Sequence, residues 1–343
     1  MTAINGRHVL FGTLKGKPEN RLPWVPLAGV HAGKLMGYSA REVLNDGDKL
    51  VRSLLAVYQQ YSPDGMPVYF DIQVEAEILG CELVWTDDAP PSVVSHPLAE
   101  LKSIPEKIPA SEEGRLALIL NVMHRIKQEI GNQVGLFGLV TGPLTLAYHL
   151  RGQQLFFDIN DNPDFLQALL NYTVQVAQAI TNYYVDAGMD TIGIIEPVAS
   201  QISPETYAAF LLQKHTALFQ HIRGMGVYSM LHICGNATKL IDLVCSSGTD
   251  IFSIDEHVDL RAIKPIMDRH NITLQGNLPT ASLLLLGSPQ ENRDYVSNLL
   301  NSLPNHRNLI LSPGCDLPYD TPIENINAVI EVVRNHRFVS SGN

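Results

Sequence analysis

The stretch TIGIIE, residues 191–196, decides the fold of this chain. It is a short β-branched run that lies between two helix-length segments, PDFLQALLNYTVQVAQAITNYYVDAG (163–188) and PETYAAFLLQKHTALFQHIRG (204–224). In the second segment apolar residues recur every three or four positions, which indicates an amphipathic helix. Gly188 and Gly224 stand where such helices commonly end. A continuous apolar run between two helices predicts a parallel strand that is buried on both faces.

The same rhythm occurs throughout the chain. Seven further runs read as strands: WVPLA (24–28), MPVYFD (66–71), VGLFGLV (134–140), VYSMLH (227–232), DIFSID (250–255), ITLQGN (272–277) and NLILSPGC (308–315). Eight strand–helix units favour a (β/α)8 TIM barrel over an open sheet. The passage from Leu79 to Pro109 breaks the rhythm, and we expect a hairpin and loop inserted there after strand two. No Pro/Ser-rich linker interrupts residues 1–343, which predicts a single domain.

Composition excludes several classes of protein. The net charge of −11 and the pI near 5.5 argue against a nucleic-acid or anionic-membrane surface. The N-terminus lacks the pattern of a secretory signal, and no apolar run approaches the roughly 18 residues of a membrane span. The cysteines are too few and too scattered for a disulfide framework. We therefore expect a cytoplasmic protein without a membrane or nucleic-acid partner.

Ligand-capable residues cluster at the predicted strand ends. In a barrel of this type the catalytic groups lie at the carboxyl ends of the strands, where the loops gather. These positions carry Asp71, Glu196, His232, Cys234, Asp255, Glu256, Asn277 and Cys315. The sequence therefore predicts one functional site at the mouth of the barrel, where the carboxyl ends of the strands meet.

Three of these residues suggest a zinc site. His232 and Cys234 end strand five two residues apart, and Cys315 ends strand eight. A catalytic zinc takes about three ligands from Cys, His and carboxylate, and thiolates select zinc over magnesium or calcium. Asp255, at the end of strand six, is a candidate fourth ligand, as is Glu256 beside it. The alternative is that each cysteine is a small buried hydrophobe, and this is the interpretation we adopt for Cys81 and Cys245, which lie in apolar segments.

The chain resembles the uroporphyrinogen decarboxylase superfamily and, within it, the zinc-dependent methylcobamide:coenzyme M methyltransferases. The resemblance covers nearly the whole chain, and the pair HICGN and SPGCDLP is its most specific part. The segments that carry it are FDIQVEAEILGCEL (70–83), GLVTGPLTLAYHLRG (138–152), LHICGN (231–236), DIFSIDEHVDL (250–260), LQGNLPTASLLLLG (274–287) and ILSPGCDLPYDTPIENI (310–326).

Departures from the decarboxylases favour the methyltransferase branch. The decarboxylases carry an arginine-rich segment after their first strand that grips substrate carboxylates, whereas this chain has no arginine between Arg21 and Arg41. They also have histidine near the end of strand eight, where Cys315 stands here, and they lack the H-x-C at strand five.

The resemblance implies that zinc on His232, Cys234 and Cys315 binds a thiol such as coenzyme M. The metal would lower the pKa of the thiol from about 8.5, so that its thiolate attacks a methyl group on the cobalt of a corrinoid protein. Asp255 or Glu256 as a fourth ligand would keep the bound sulfur electron-rich. The residue of this pair that is not a ligand is expected to be a solvated helix cap.

Four other residues have open roles. Asp71 and Tyr148 fall near active-site positions of the decarboxylases, and both are widely retained in the superfamily. Asp71 and Glu196 are expected either to hydrogen-bond the corrinoid or a loop, or to be buried carboxylates held by backbone N–H groups. Tyr148 either lines the cavity or packs beneath it. Asn277 is expected as a turn residue rather than a ligand.

Two other functions remain open from the sequence. One is a tetrapyrrole carboxyl-lyase, and the other is a non-catalytic module that binds a corrinoid. The acceptor of the methyltransferase could also be another thiol or a pterin. The sequence does not indicate the upstream methyl donor or the oligomeric state.

Overall fold

A computed structural model describes residues 5–19, 21–100 and 103–336. Its strands are β1 (Gly65–Pro67), β2 (Leu83–Val84), β3 (Ser92–Val93), β4 (Gly135–Thr141), β5 (Thr191–Ile195), β6 (Tyr228–Ile233), β7 (Ile251–Ile254), β8 (Thr273–Leu278) and β9 (Leu309–Pro313). Seven of them form one parallel sheet in the order β1-β4-β5-β6-β7-β8-β9. The predicted α/β class with parallel strands is confirmed.

The parallel sheet curls around a small apolar core. Leu139, Ile195, Met230, Ile251 and Ile310 come from five different strands, yet they pack in one buried cluster. Residues on one face of an open sheet would be spread over its full width, so this cluster requires a curled sheet. A second, larger core lies between the sheet and the surrounding helices.

The segment around Trp24 lies between the two edge strands of this sheet. Trp24 forms an isolated parallel bridge with Leu311 of β9, and its carbonyl accepts a hydrogen bond from the Asp64 amide beside β1. Of the predicted strand WVPLA (24–28), only Trp24 forms a β-bridge. The prolines at positions 23 and 26 explain the difference, because they have no N–H groups with which to extend a ladder.

Helices fill the connections between the strands. The α-helices are α1 (Gly6–Leu14), α2 (His31–Lys34), α3 (Ala40–Asn45), α4 (Gly47–Tyr61), α5 (Val74–Ile78), α6 (Leu116–Ile130), α7 (Pro143–Arg151), α8 (Gln154–Asp161), α9 (Pro163–Asp186), α10 (Pro204–Phe210), α11 (Leu212–Gly224), α12 (Ile241–Ser247), α13 (Leu260–His270), α14 (Pro289–Ser302) and α15 (Ile323–Asn335). Short 3-10 helices span Pro197–Gln201 and Thr238–Leu240, and a π-helix spans Thr280–Leu285. The predicted helix at 163–188 is present, whereas the predicted helix at 204–224 is interrupted at Leu211. None of the helices within the described ranges is long and apolar enough to cross a membrane.

The first and last strands of the sheet end earlier than predicted. Strand β1 stops at Pro67 and β9 stops at Pro313, so Asp71 and Cys315 lie on loops beyond them. The passage after β1 contains the antiparallel pair β2 and β3, in which Leu83 is opposite Val93. The pairing is only two residues long, and little regular structure follows until α6.

Candidate metal centre

Three predicted ligands lie together at the carboxyl ends of β6 and β9. The His232 Nε2 atom is 2.9 Å from the Cys234 Sγ atom, and that sulfur is 3.4 Å from the Cys315 Sγ atom. One donor atom from each side chain lies within 4.8 Å of the other two. In the described part of the chain no other group of three such side chains is this close. The curled sheet therefore brings together residues that are 81 positions apart in the chain.

The surrounding loops are shaped to hold these donors. The ring Nδ1 atom of His232 is 2.9 Å from the Ser253 hydroxyl on the neighbouring strand β7, which turns Nε2 toward the thiols. Gly314 precedes Cys315, and a Cβ atom there would be 2.8 Å from the backbone nitrogen of Glu256. Only glycine lets the loop after β9 pass this closely to the loop after β7.

The two thiols of the centre are not equivalent. The hydrogen bond with Cys234 and the nearby His232 hold the pKa of the Cys315 thiol well below its usual value. The same thiol–thiol bond, together with burial and the charge of Asp255, raises the pKa of Cys234. The contact between the two thiols thus shifts their pKa values in opposite directions.

Asp255 and Glu256 are engaged elsewhere in this structure. An Asp255 carboxylate oxygen accepts hydrogen bonds from the His257 amide at 2.9 Å and from the His257 ring at 2.5 Å. Burial would raise the pKa of Asp255, but these bonds and one from the Gly235 amide outweigh it and hold the pKa below its usual value. Glu256 accepts from the Thr280 amide at 2.6 Å. Neither carboxylate belongs to the three-donor group.

Asp71 lies on the loop after β1, where an arginine holds it. The Arg115 guanidinium donates to Asp71, to the Tyr69 hydroxyl at 2.6 Å and to Glu77 at 2.7 Å. The backbone N–H of Gln73 also donates to Asp71. Burial raises the pKa of Asp71, and Arg115 opposes that rise. Asp71 is thus an ion-paired carboxylate that also lines a cavity described below.

Glu196 is fully buried, and its carboxylate is satisfied by the protein. It accepts hydrogen bonds from the Thr145 amide and hydroxyl, both at 2.6 Å, and from the Leu144 amide at 3.1 Å. His215 Nε2 lies 3.2 Å away on another side. Glu196 thus satisfies free N–H groups at the start of α7. Of the two roles expected for it, the structure favours the buried carboxylate and not a contact with a corrinoid, since no part of the side chain reaches the mouth.

Asn277 and Tyr148 have mainly structural surroundings. The Asn277 side-chain amide donates to the backbone carbonyls of Asp255 and Val258, at 3.0 and 2.7 Å, and so ties down the loop after β7. Asn277 itself lies within β8 and not in a turn. Tyr148 is half-buried, and its ring packs near Phe156 with centroids 5.7 Å apart.

A cavity of about 530 Å³ opens beside Cys315. Several of its lining residues had not been singled out from the sequence, because they come from separate loops that only the fold brings together. The lining consists of Val30, Phe70, Asp71, Ile72, Gln73, Asp88, Ala89, Pro90, Leu285, Cys315, Asp316, Leu317, Pro318, Tyr319 and Asp320. The one local signal was the acidic loop that directly follows the cysteine, CDLPYD (315–320).

Comparisons with known proteins agree with this architecture. The family model described as uroporphyrinogen decarboxylase (URO-D) matches residues 7–336. Methylcobamide:CoM methyltransferase MtbA of Methanosarcina acetivorans is 28% identical over 98% of this chain and 100% of that protein. The uroporphyrinogen decarboxylase of Nostoc punctiforme is 24% identical over 86% of this chain and 85% of that protein. A solved structure described as a methyltransferase from Methanosarcina mazei superposes with a TM-score of 0.86 at 23% identity, covering 96% of this chain and 98% of that one.

Proposed function

This chain belongs to the uroporphyrinogen decarboxylase (URO-D) family, and we propose that it is a zinc-dependent methyltransferase that moves a methyl group from a methylated corrinoid protein to a small thiol. The observation that carries this proposal is the approach of His232, Cys234 and Cys315 to within 4.8 Å at one end of the sheet. The relatives named methylcobamide:CoM methyltransferases support the choice of reaction.

The donor set fits a catalytic zinc ion. Two sulfur atoms and one imidazole nitrogen are ligands that zinc accepts, and three protein ligands leave a position for substrate. The Ser253 hydroxyl would fix the orientation of His232 at the metal, as outer hydrogen bonds do in other zinc sites. When bound, zinc supplies a Lewis acid that lowers the pKa of the acceptor thiol. Asp255, next to the centre, would either become a fourth ligand after leaving His257 or act through its charge alone.

The proposed transfer balances in atoms and electrons. The acceptor thiol loses its proton to solvent, and its sulfur forms a bond to the methyl carbon. The bond between that carbon and cobalt breaks, and its electron pair stays on cobalt. The acceptor would be a short alkanethiol, the chemical class to which the coenzyme M in the names of the relatives belongs.

The rival carboxyl-lyase is less consistent with the charges of the cavity. A tetrapyrrole with several carboxylates requires cations around it, whereas the described lining includes Asp71, Asp88, Asp316 and Asp320 and neither lysine nor arginine. A substrate of that type would be repelled. A corrinoid-binding module without catalysis would not need two thiols and an imidazole at one point.

We also infer that the sheet closes into a (β/α)8 barrel. The Trp24 segment hydrogen-bonds to Leu311 in β9 and to Asp64 beside β1, which supports its role as the eighth strand. The pair β2 and β3 would be the hairpin inserted into it, and residues 1–343 would form one domain. The four free cysteines favour a reducing compartment, the cytoplasm.

Two measurements on the purified protein test the function. Metal analysis should find one zinc per chain, and methylcobalamin should methylate a short thiol in the presence of the protein. A protein without zinc that gains no activity when zinc is added would contradict the proposal. Release of CO2 from uroporphyrinogen would support the carboxyl-lyase instead.

A further inference from the structure

We propose that the acceptor thiol carries no negative charge at the end away from its sulfur: the cavity beside Cys315 selects a short thiol with a cationic or neutral tail over one with an anionic tail. This inference rests on the proposed function and specifies the substrate class of the same site. The names of the relatives do not imply this selectivity, because coenzyme M has a sulfonate at that end.

The position of the cavity identifies the part of the substrate that it contacts. Among the three predicted metal ligands only Cys315 lines it, so a thiol bound at the centre would extend its tail into the space between the β1 and β9 loops. Phe70, Ile72 and Leu317 supply apolar walls for a carbon chain. The charges on the loops then act on the end of the substrate that is farthest from its sulfur.

The carboxylates around this space outnumber the cations near it. Lys34 lies next to the lining, with its Nζ atom 5.1 Å from the centre of the Tyr319 ring. The same atom donates to Asp320 at 2.6 Å. Arg115 is committed to Asp71 and Glu77 on the other side. Lys34 can meet an anionic tail only by leaving Asp320, and Arg115 does not line the cavity.

Two further carboxylates add to the negative potential. Asp88 is exposed on the loop between β2 and β3. Asp316 also lines the cavity, and the Gly29 amide donates to it at 2.8 Å. The charge balance is negative even if Asp316 is protonated. An anion would be repelled here, whereas an ammonium group would be attracted, and a low-dielectric wall strengthens both effects.

Three thiols with the same two-carbon chain test the proposal. Cysteamine, 2-mercaptoethanol and coenzyme M differ in the end group, which is an ammonium, a hydroxyl and a sulfonate. With the zinc-loaded protein and methylcobalamin, and with rates corrected for the ionisation of each thiol, we expect kcat/KM to fall in that order. The ratio between cysteamine and coenzyme M should be about tenfold at low salt and should shrink as ionic strength rises. Calorimetric affinities of the three thiols for the zinc-loaded protein, without methyl donor, should follow the same order.

Two variants connect the preference to named residues. Asp320→Asn should release Lys34, and Asp88→Asn should remove an exposed negative charge. Each variant should therefore raise the use of coenzyme M relative to cysteamine about three- to tenfold. Asp186→Asn is the matched control, because Asp186 is exposed at the end of α9 that leads into β5, at the opposite end of the sheet. This variant also removes one negative charge, but it should leave the ratio of kcat/KM between cysteamine and coenzyme M unchanged.

The outcomes separate this proposal from the function on which it rests. If none of the three thiols is methylated, the proposed function fails. If all three are methylated and coenzyme M is the best acceptor, the function stands and the charge selectivity is wrong. If the wild type prefers cysteamine but both cavity variants behave like Asp186→Asn, the assignment to these carboxylates is overturned.

Discussion

The His232 ring is held through its Nδ1 atom by the Ser253 hydroxyl, 2.9 Å away on the adjacent strand β7. The two residues are paired across the parallel ladder, so their relative position is fixed by the sheet and not by a loop. A hydroxyl at Nδ1 leaves Nε2 directed toward the sulfur of Cys234. The strand register thus pre-orients one of the proposed metal ligands.

Ser253→Ala should weaken zinc binding by about 10- to 100-fold, because the imidazole loses the partner that fixes its orientation. The measurement is competition for zinc against a chelator of known affinity. Ser246→Ala, on the exposed face of α12, is the control and should bind zinc as the wild type does. Equal affinities in the two variants would remove Ser253 from the metal centre.

Cys315→Ser should nearly abolish thiol methylation and weaken zinc binding while leaving the circular dichroism spectrum intact. A hydroxyl is a poor replacement for a soft thiolate ligand of zinc. Cys245→Ser is the control, since Cys245 packs at the edge of the core on α12 and should cost little activity. X-ray absorption of the wild type should show sulfur at about 2.3 Å from zinc. Similar activity in both serine variants would disprove the assignment of Cys315 as a ligand.

Removal of zinc should abolish activity but leave the chain folded. The core of the fold is formed by buried apolar residues from the strands and helices, so a catalytic metal adds only its binding free energy. At a free zinc concentration 100-fold above the Kd this term is about 2.7 kcal/mol, and chelation should lower Tm by only a few degrees. Calorimetric scans with and without chelator measure this shift. Global unfolding on chelation would instead indicate a structural zinc.

Arg115→Met should destabilise the protein by about 3–5 kcal/mol, because Asp71 would remain as a buried charge without its partner. The free energy of unfolding in urea measures this loss. The double variant Arg115→Met with Asp71→Asn is the matched control. It should recover a large part of the stability, since no unpaired charge then remains at that position. A double variant no more stable than the single one would mean that packing of the long Arg115 side chain, including its contact with Trp85, dominates.

Stability should decrease as the pH falls from about 6.5 to 4, in part because of His149. Burial and the nearby His96 lower the pKa of His149 to about 4 in the folded protein. Between that value and the ordinary value of 6.5 the unfolded chain binds the proton more tightly, so protonation favours unfolding. The full effect of one such group is about 3 kcal/mol and is reached below pH 4. His149→Gln should flatten the pH dependence of the unfolding free energy in this window, because glutamine does not titrate. A curve that is unchanged in His149→Gln would refute this assignment.

The sequence by itself determined the order of strands and helices and the positions of the candidate ligands. Strands β4 to β8 fall within one or two residues of the apolar runs that predicted them, because a strand buried on both faces needs a continuous apolar segment. The H-x-C spacing of His232 and Cys234 is a local property of the end of β6, and it could be read directly. The WVPLA segment failed as a full strand because its prolines remove ladder hydrogen bonds.

Only the tertiary structure decided which of the strand-end residues meet. Cys315 approaches Cys234 because the sheet curls, and curling depends on side chains from five strands that pack together in its interior. Glu196 follows a strand in the same way, but a helix start and His215 enclose it, so it lies away from the mouth. A strand-end position identifies a candidate, while the neighbouring loops and helices determine whether its side chain faces the cavity or the core. Those contacts join residues far apart in the chain, and for this reason no local pattern of the sequence contains them.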